Sequence, residues 1–285
     1  SDVTEEVVPL MRWSDLTDRP LPQPTSTHPY GDDPAQMVDL WRPDGPGPHP
    51  VVLMIHGGCW QKAIADRTLM NYAAEDLRQR GMAVWNIEYR GVDEAGGAYP
   101  GIFQDVRAAA EELIDKGSEL GLDTNRIVAF GHSAGGHLAA WLATQTNLPE
   151  TSPLHPGRAL PLKAAIISGG LADLEASAPI TLETCLARIM DDLTGMPSDD
   201  RVSVFSDTSP AELLPSETVL ISVNGDQDRI APPVLGQEFT DKVKAAGGTS
   251  AYVEVPNTGH VELVSPGTAA FDRQAALLQQ YLDMD

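Results

Sequence analysis

The chain holds 285 residues, with 19 Lys and Arg against 41 Asp and Glu and a formal charge of −22. That balance excludes a nucleic-acid binder, which needs clustered Lys and Arg, and speaks against an anionic membrane surface. At 42% hydrophobic and 21% charged residues the composition is globular, with length enough for a well-buried core.

Residues 1–34 are polar and carry Pro9, Pro20, Pro22, Pro24, Pro29 and Pro34. They predict an extended N-terminal arm, anchored by Trp13. Residues 35–285 alternate short apolar runs with helical periodicity. They predict one α/β domain: a mostly parallel, doubly wound sheet with helices on both faces. The expected strands fall at 37–41, 51–55, 83–89, 127–131, 164–168, 219–223 and 251–255. Most of these runs are continuously apolar, as in strands buried on both faces. Helical spacing joins Leu69, Ala73 and Leu77, then Val106, Ala109, Ala110 and Leu113, and finally Phe271, Ala275, Leu278 and Leu282. Residues 171–215 break the rhythm with acidic residues, Met190, Met196 and the turn signal Gly195-Met196-Pro197. They predict a small lid insertion above the C-terminal ends of the strands. Apolar runs such as 51–55 are far too short for a membrane span. The chain reads as cytoplasmic, or as periplasmic or secreted if a signal peptide was removed.

Two cysteines, Cys59 and Cys185, exclude a disulfide scaffold and a four-cysteine zinc site, and leave a single bridge open. There is no H-E-x-x-H or C-x-x-C, and no G-x-G-x-x-G opens a helix, so neither a metal nor a nucleotide cofactor is expected.

Gly131-His132-Ser133-Ala134-Gly135 has the G-x-S-x-G spacing. An apolar run at 127–130 leads in, and the helix-like Leu138-Ala139-Ala140-Trp141-Leu142 leads out. A sharp strand-to-helix turn would hold Ser133 in a strained backbone conformation, with small residues on either side to avoid clashes. The helix N-terminus beside it favours developing negative charge. His56-Gly57-Gly58-Cys59-Trp60 follows the strand at 51–55. Glycines there let backbone amides approach a reacting oxygen, so Gly58 and Cys59, with Ala134, are the expected oxyanion donors. His56 itself reads as a structural hydrogen-bonding residue.

A serine nucleophile needs a base, and the base needs an orienting carboxylate. Of seven histidines, His260 follows a late strand and the loop Pro256-Asn257-Thr258-Gly259, and precedes the last helix. It is the expected base. His132 and His137 flank the turn, and His137 is expected to pack on the following helix. The carboxylate is expected in the loop Asn224-Gly225-Asp226-Gln227-Asp228, with Asp228 preferred and Asp226 the alternative. The order Ser133, Asp228, His260 is that of α/β-hydrolases.

These motifs resemble the α/β-hydrolase fold, and specifically the small esterases with an HGG-x-W oxyanion motif. That group includes acetyl-esterase-like enzymes and kynurenine formamidase-like amidases. The resemblance runs from about Met37 to the last helix. It also rests on Trp85-Asn86-Ile87-Glu88-Tyr89-Arg90, the carboxylate loop and Gly259-His260. Lipase-like relatives usually carry a third glycine where this chain has Cys59, and family carboxylate loops usually start His-Gly where it has Asn224-Gly225. The resemblance implies a serine carboxylesterase acting on short or medium acyl or aryl esters through an acyl-enzyme. An arylformamidase-like amidase is the alternative, and a non-catalytic binding protein of the same fold the remote one. The expected partner is a small-molecule ester or amide, with oligomeric state left open. Trp60, Gln61 and His132 are expected to line the pocket, and Glu88 with Arg90 to form a structural ion pair beside it.

Overall fold

Continuous apolar runs assemble into one eight-stranded sheet. In the computed structural model, which describes residues 8–181 and 185–284, its strands are β1 (Ser26–Pro29), β2 (Met37–Trp41), β3 (His49–Ile55), β4 (Ala83–Ile87), β5 (Leu122–His132), β6 (Leu162–Ser168), β7 (Val219–Gly225) and β8 (Ser250–Val255). They lie in the order β1-β2-β4-β3-β5-β6-β7-β8. From β4 to β8 every pairing is parallel, whereas β2 runs antiparallel to both β1 and β4.

Among the described residues eight α-helices accompany the sheet: α1 (Trp13–Thr17), α2 (Asn71–Gln79), α3 (Gly101–Lys116), α4 (Ala134–Thr144), α5 (Leu174–Ile180), α6 (Leu186–Thr194), α7 (Pro233–Ala245) and α8 (Ala269–Tyr281). The pleat divides them. Val51, Leu53 and Ile55 of β3 pack in one core with Phe103 of α3, Trp141 of α4 and Phe239 of α7. Val52 and Met54 point the other way, into a second core with Ala73 and Leu77 of α2, Phe271 and Leu278 of α8, and Leu16 of α1. Alternate side chains of one strand thus feed two cores, which is why these strands read as unbroken apolar runs.

The structure departs from the sequence expectation at the edges. The arm at 1–34 is not wholly extended, since it contains α1, and its β1 is a strand of the sheet. β1 pairs with β2 through Ser26↔Leu40 to Pro29↔Met37. Its Ser-Thr-His-Pro composition is that of a half-exposed edge strand, which carries no apolar signal. β5 begins at Leu122, earlier than its apolar run. Residues 171–215 contain α5 and α6, and α6 buries Leu186, Ile189 and Leu193. Residues 1–7 of the expected arm and 182–184 of the expected insertion lie outside the described residues.

Candidate active site

Ser133 is the single residue between β5 and α4, with φ 58° and ψ −119°. A non-glycine residue there stores roughly 1–3 kcal/mol of strain. The flanking glycines make the turn possible. A Cβ on Gly131 would stand 2.0 Å from the Gly135 carbonyl oxygen, and one on Gly135 would stand 2.0 Å from that of Ile55. Ala134 opens α4, so its amide belongs to the first turn, whose N–H groups have no partner within the helix.

The loop after β3 runs directly against this turn. A Cβ on Gly57 would lie 2.8 Å from the His132 carbonyl oxygen and 3.0 Å from the Ser133 Cβ. Cys59 and Trp60 follow with φ 53° and 58°, and the Gln61 amide donates to the Gly58 carbonyl at 2.9 Å. Glu88, just past β4, braces the loop from beneath. Its carboxylate meets His56 Nε2 at 2.6 Å, the Arg67 amide at 2.7 Å and the Lys62 ammonium. Burial pushes the Glu88 carboxyl up, but the charges and hydrogen bonds of His56 and Lys62 outweigh it and bring it down to about 2.

The loops after β7 and β8 meet on the other side. Asp228 Oδ2 lies 2.7 Å from His260 Nδ1. Its Oδ1 accepts from the Ile230 and Ala231 amides at 2.8 and 2.9 Å. Asp226 instead accepts from the Thr258 amide at 3.1 Å, joining the two loops without touching the imidazole. His132 Nε2 donates to the His260 carbonyl at 3.0 Å, and the two rings sit 4.4 Å apart. Burial, reinforced by the neighbouring His260, pushes the His132 imidazole well below its usual value. It therefore stays neutral.

Ser133, His260, His132, Gly58 and Cys59 line one cavity of about 400 Å³. Among the described residues its other walls are Trp13, Thr17, Ile64, Ala65, Leu69, Leu171, Cys185 and Ile230, with no Asp, Glu, Lys or Arg. Cys59 and Cys185 are bonded in a disulfide with Cα atoms 5.6 Å apart. The bridge left open by the sequence thus ties the loop after β3 to the start of α6. Among the described residues no group of three His, Cys, Asp or Glu side chains could hold a metal ion, and no helix is long and apolar enough to cross a membrane.

Three expectations need correction. Trp60 does not line the cavity: its indole is fully buried and donates to His137 Nδ1 at 3.0 Å. His137 in turn donates through Nε2 to the Thr208 carbonyl at 2.8 Å. Gln61 is half-buried in the turn with Gly58 and is not a lining residue. Arg90 pairs with Asp105, not Glu88, through two contacts of 2.9 Å. The sequence reading also passed over Trp13 and Thr17 as wall residues, and over Glu262. Glu262 accepts from the amide of Gly259, next to His260, at 2.6 Å, and from the Met11 amide at 3.1 Å. The only local signal for the wall was Trp13 and Leu16 at helical spacing inside a proline-rich arm.

Comparison with known proteins adds to this geometry. The family model described as BD-FAE matches residues 38–243. Esterase LipC of Mycobacterium tuberculosis (strain ATCC 25618 / H37Rv) is 30% identical over 81% of this chain and 58% of its own length. Kynurenine formamidase of Danio rerio is 29% identical over 52% of this chain and 46% of its own. The chain thus spans only about half the length of the curated relatives it matches. The crystal structure of esterase B from Lactobacillus rhamnosis superposes with a TM-score of 0.76 at 21% identity, covering 91% of this chain and 86% of that one. The shared architecture is the α/β-hydrolase fold.

Proposed function

The chain belongs to the BD-FAE family, and from that premise we propose that it is a carboxylesterase working through an acyl-enzyme on Ser133. The observation that carries the reading is the buried Asp228–His260 pair, 2.7 Å apart, whose imidazole opens onto the same cavity as the strained Ser133. In this reading His260 takes the Ser133 proton as the oxygen attacks the ester carbonyl. Asp228, held by two amides, fixes the imidazole with Nδ1 protonated and stabilises its cationic form. The amides of Gly58, Cys59 and Ala134 receive the oxyanion, an arrangement in which one lost donor costs about 100- to 1,000-fold in rate. His260 then protonates the leaving alkoxide. A water activated by the same ring releases the acid and frees Ser133. Among the described residues the cavity's walls are mostly apolar and carry no charged side chain, which favours short or medium acyl and aryl esters.

A second reading, an arylformamidase-like amidase, is supported by the kynurenine formamidase match. Both use the same groups and differ in the leaving group that His260 must protonate. The test is turnover of p-nitrophenyl esters from acetyl to decanoyl beside N-formylkynurenine, with Ser133→Ala as control. Ester turnover abolished in Ser133→Ala supports the esterase. Formyl-amide turnover far above ester turnover moves the assignment to the amidase. Activity that survives in Ser133→Ala rejects both.

A further inference from the structure

We infer that Trp13, carried on the N-terminal arm, is a specificity-determining wall of the pocket that sets the size of the group accepted beside Ser133. The inference rests on the esterase reading for its reaction and on separate geometry for its residue.

α1 is only five residues long, yet it is fixed to the domain at several points. Leu16 is fully buried in the core beneath the sheet. The Met11 amide donates to Glu262, the Arg19 guanidinium donates to the Pro266 carbonyl at 2.9 Å, and Tyr72 donates to the Thr17 carbonyl at 3.3 Å. The Trp13 indole makes none of these contacts and is 39% exposed. A large aromatic side chain so placed is available for something else.

Its surroundings say what. Trp13 and Thr17, four residues apart and so on one face of the helix, both line the cavity. The indole stands nearly perpendicular to the imidazoles of His132 and His260, with ring centres 6.1 and 6.3 Å away. Leu171, Ile230 and both cysteines of the Cys59–Cys185 bridge line the same cavity. A substrate group beside Ser133 is therefore bounded on one side by this indole. Trp13→Ala removes that boundary: short acyl groups lose contact area and long ones gain room. Discrimination by volume in an apolar pocket runs at about 10- to 200-fold per methylene-sized change at its best.

The test measures kcat/KM across p-nitrophenyl acetate to decanoate for wild type, Trp13→Ala and Trp13→Phe. The decanoyl-to-acetyl ratio is expected to rise about tenfold or more in Trp13→Ala, and Trp13→Phe is expected to restore most of the wild-type profile. A profile parallel to wild type, whether lowered uniformly or unchanged, overturns the inference, because a merely structural helix would affect all chain lengths alike. A second arm separates this inference from the esterase reading. Calorimetric binding of the same esters is measured in Ser133→Ala and in Ser133→Ala with Trp13→Ala. If the wild type hydrolyses none of the esters, the esterase reading fails. A length preference in binding that shifts on removing Trp13 still supports the wall. An unshifted preference, or no binding of any ester, overturns it.

Discussion

Among the described residues two buried carboxylate–imidazole pairs have nearly the same length but opposite surroundings, one made through Nδ1 and the other through Nε2. Asp228 lies 2.7 Å from His260, and Glu88 lies 2.6 Å from His56. Both carboxylates are at most 4% exposed. The far nitrogen of His56 is spent on the Gly57 carbonyl at 2.6 Å, and its ring stacks on Tyr89 with centres 4.4 Å apart. Glu88 is further surrounded by Lys62 and Arg67. In contrast, among the described residues Asp228 is held by neutral amides besides its histidine, and the His260 side chain keeps 10% exposure at the cavity. The same two functional groups thus make a brace in one place and a candidate acid–base device in the other. What the second ring nitrogen faces, and how many cations crowd the carboxylate, separates the two.

Removing the charge from each carboxylate sharpens this contrast. Asp228→Asn is expected to lower kcat by about 10⁴-fold while leaving the fold intact, measured as kcat beside a thermal melt. Glu88→Gln is expected to act through stability, since it leaves His56, Lys62 and Arg67 facing an uncharged amide. Loss of about 3–5 kcal/mol in denaturant unfolding is the expected size. A Glu88→Gln protein of normal stability but crippled kcat would break the distinction.

Acid titration separates them again. With the Glu88 carboxyl held at about 2 against an ordinary 4.5, its contribution is fully present above pH 4.5 and is lost as pH falls toward 2. That difference is worth about 3 kcal/mol, and Glu88→Gln should flatten this part of the stability curve. A change of similar size, only part of it reached by pH 4.5, is expected at His137, which burial pushes down to about 4. The folded state keeps it neutral, so stability is fully present above its ordinary 6.5 and declines as pH falls from there toward 4. His137→Gln, which can still donate to Thr208 and accept from Trp60, should remove about 1–3 kcal/mol of that decline in urea midpoints at pH 7 and 4.5.

The parts that could be read from sequence are those coded by neighbours in the chain. The elbow at Ser133, the glycines after β3 and the paired aspartates after β7 each carry a local spacing. The continuous apolar strands announced a sheet covered on both faces. The rest depends on distance. Glu262 reaches Met11 across 251 residues, and Cys59 meets Cys185 across 126, so no window of sequence contains either contact. Trp60 illustrates the converse error. It sits inside the glycine loop, yet the left-handed backbone at Cys59 and Trp60 turns its indole into the core toward His137. β1 was invisible because a half-exposed polar edge strand has no hydrophobic period.

The central claim, that Ser133 is the nucleophile activated by His260 and Asp228, is tested most directly by covalent labelling. The protein would be incubated with a p-nitrophenyl alkylphosphonate, and the adduct located by intact mass and peptide mapping. The account predicts one adduct per chain, on Ser133, absent in Ser133→Ala and formed far more slowly in Asp228→Asn. An adduct on another residue, or labelling of Ser133→Ala at the wild-type rate, would contradict it.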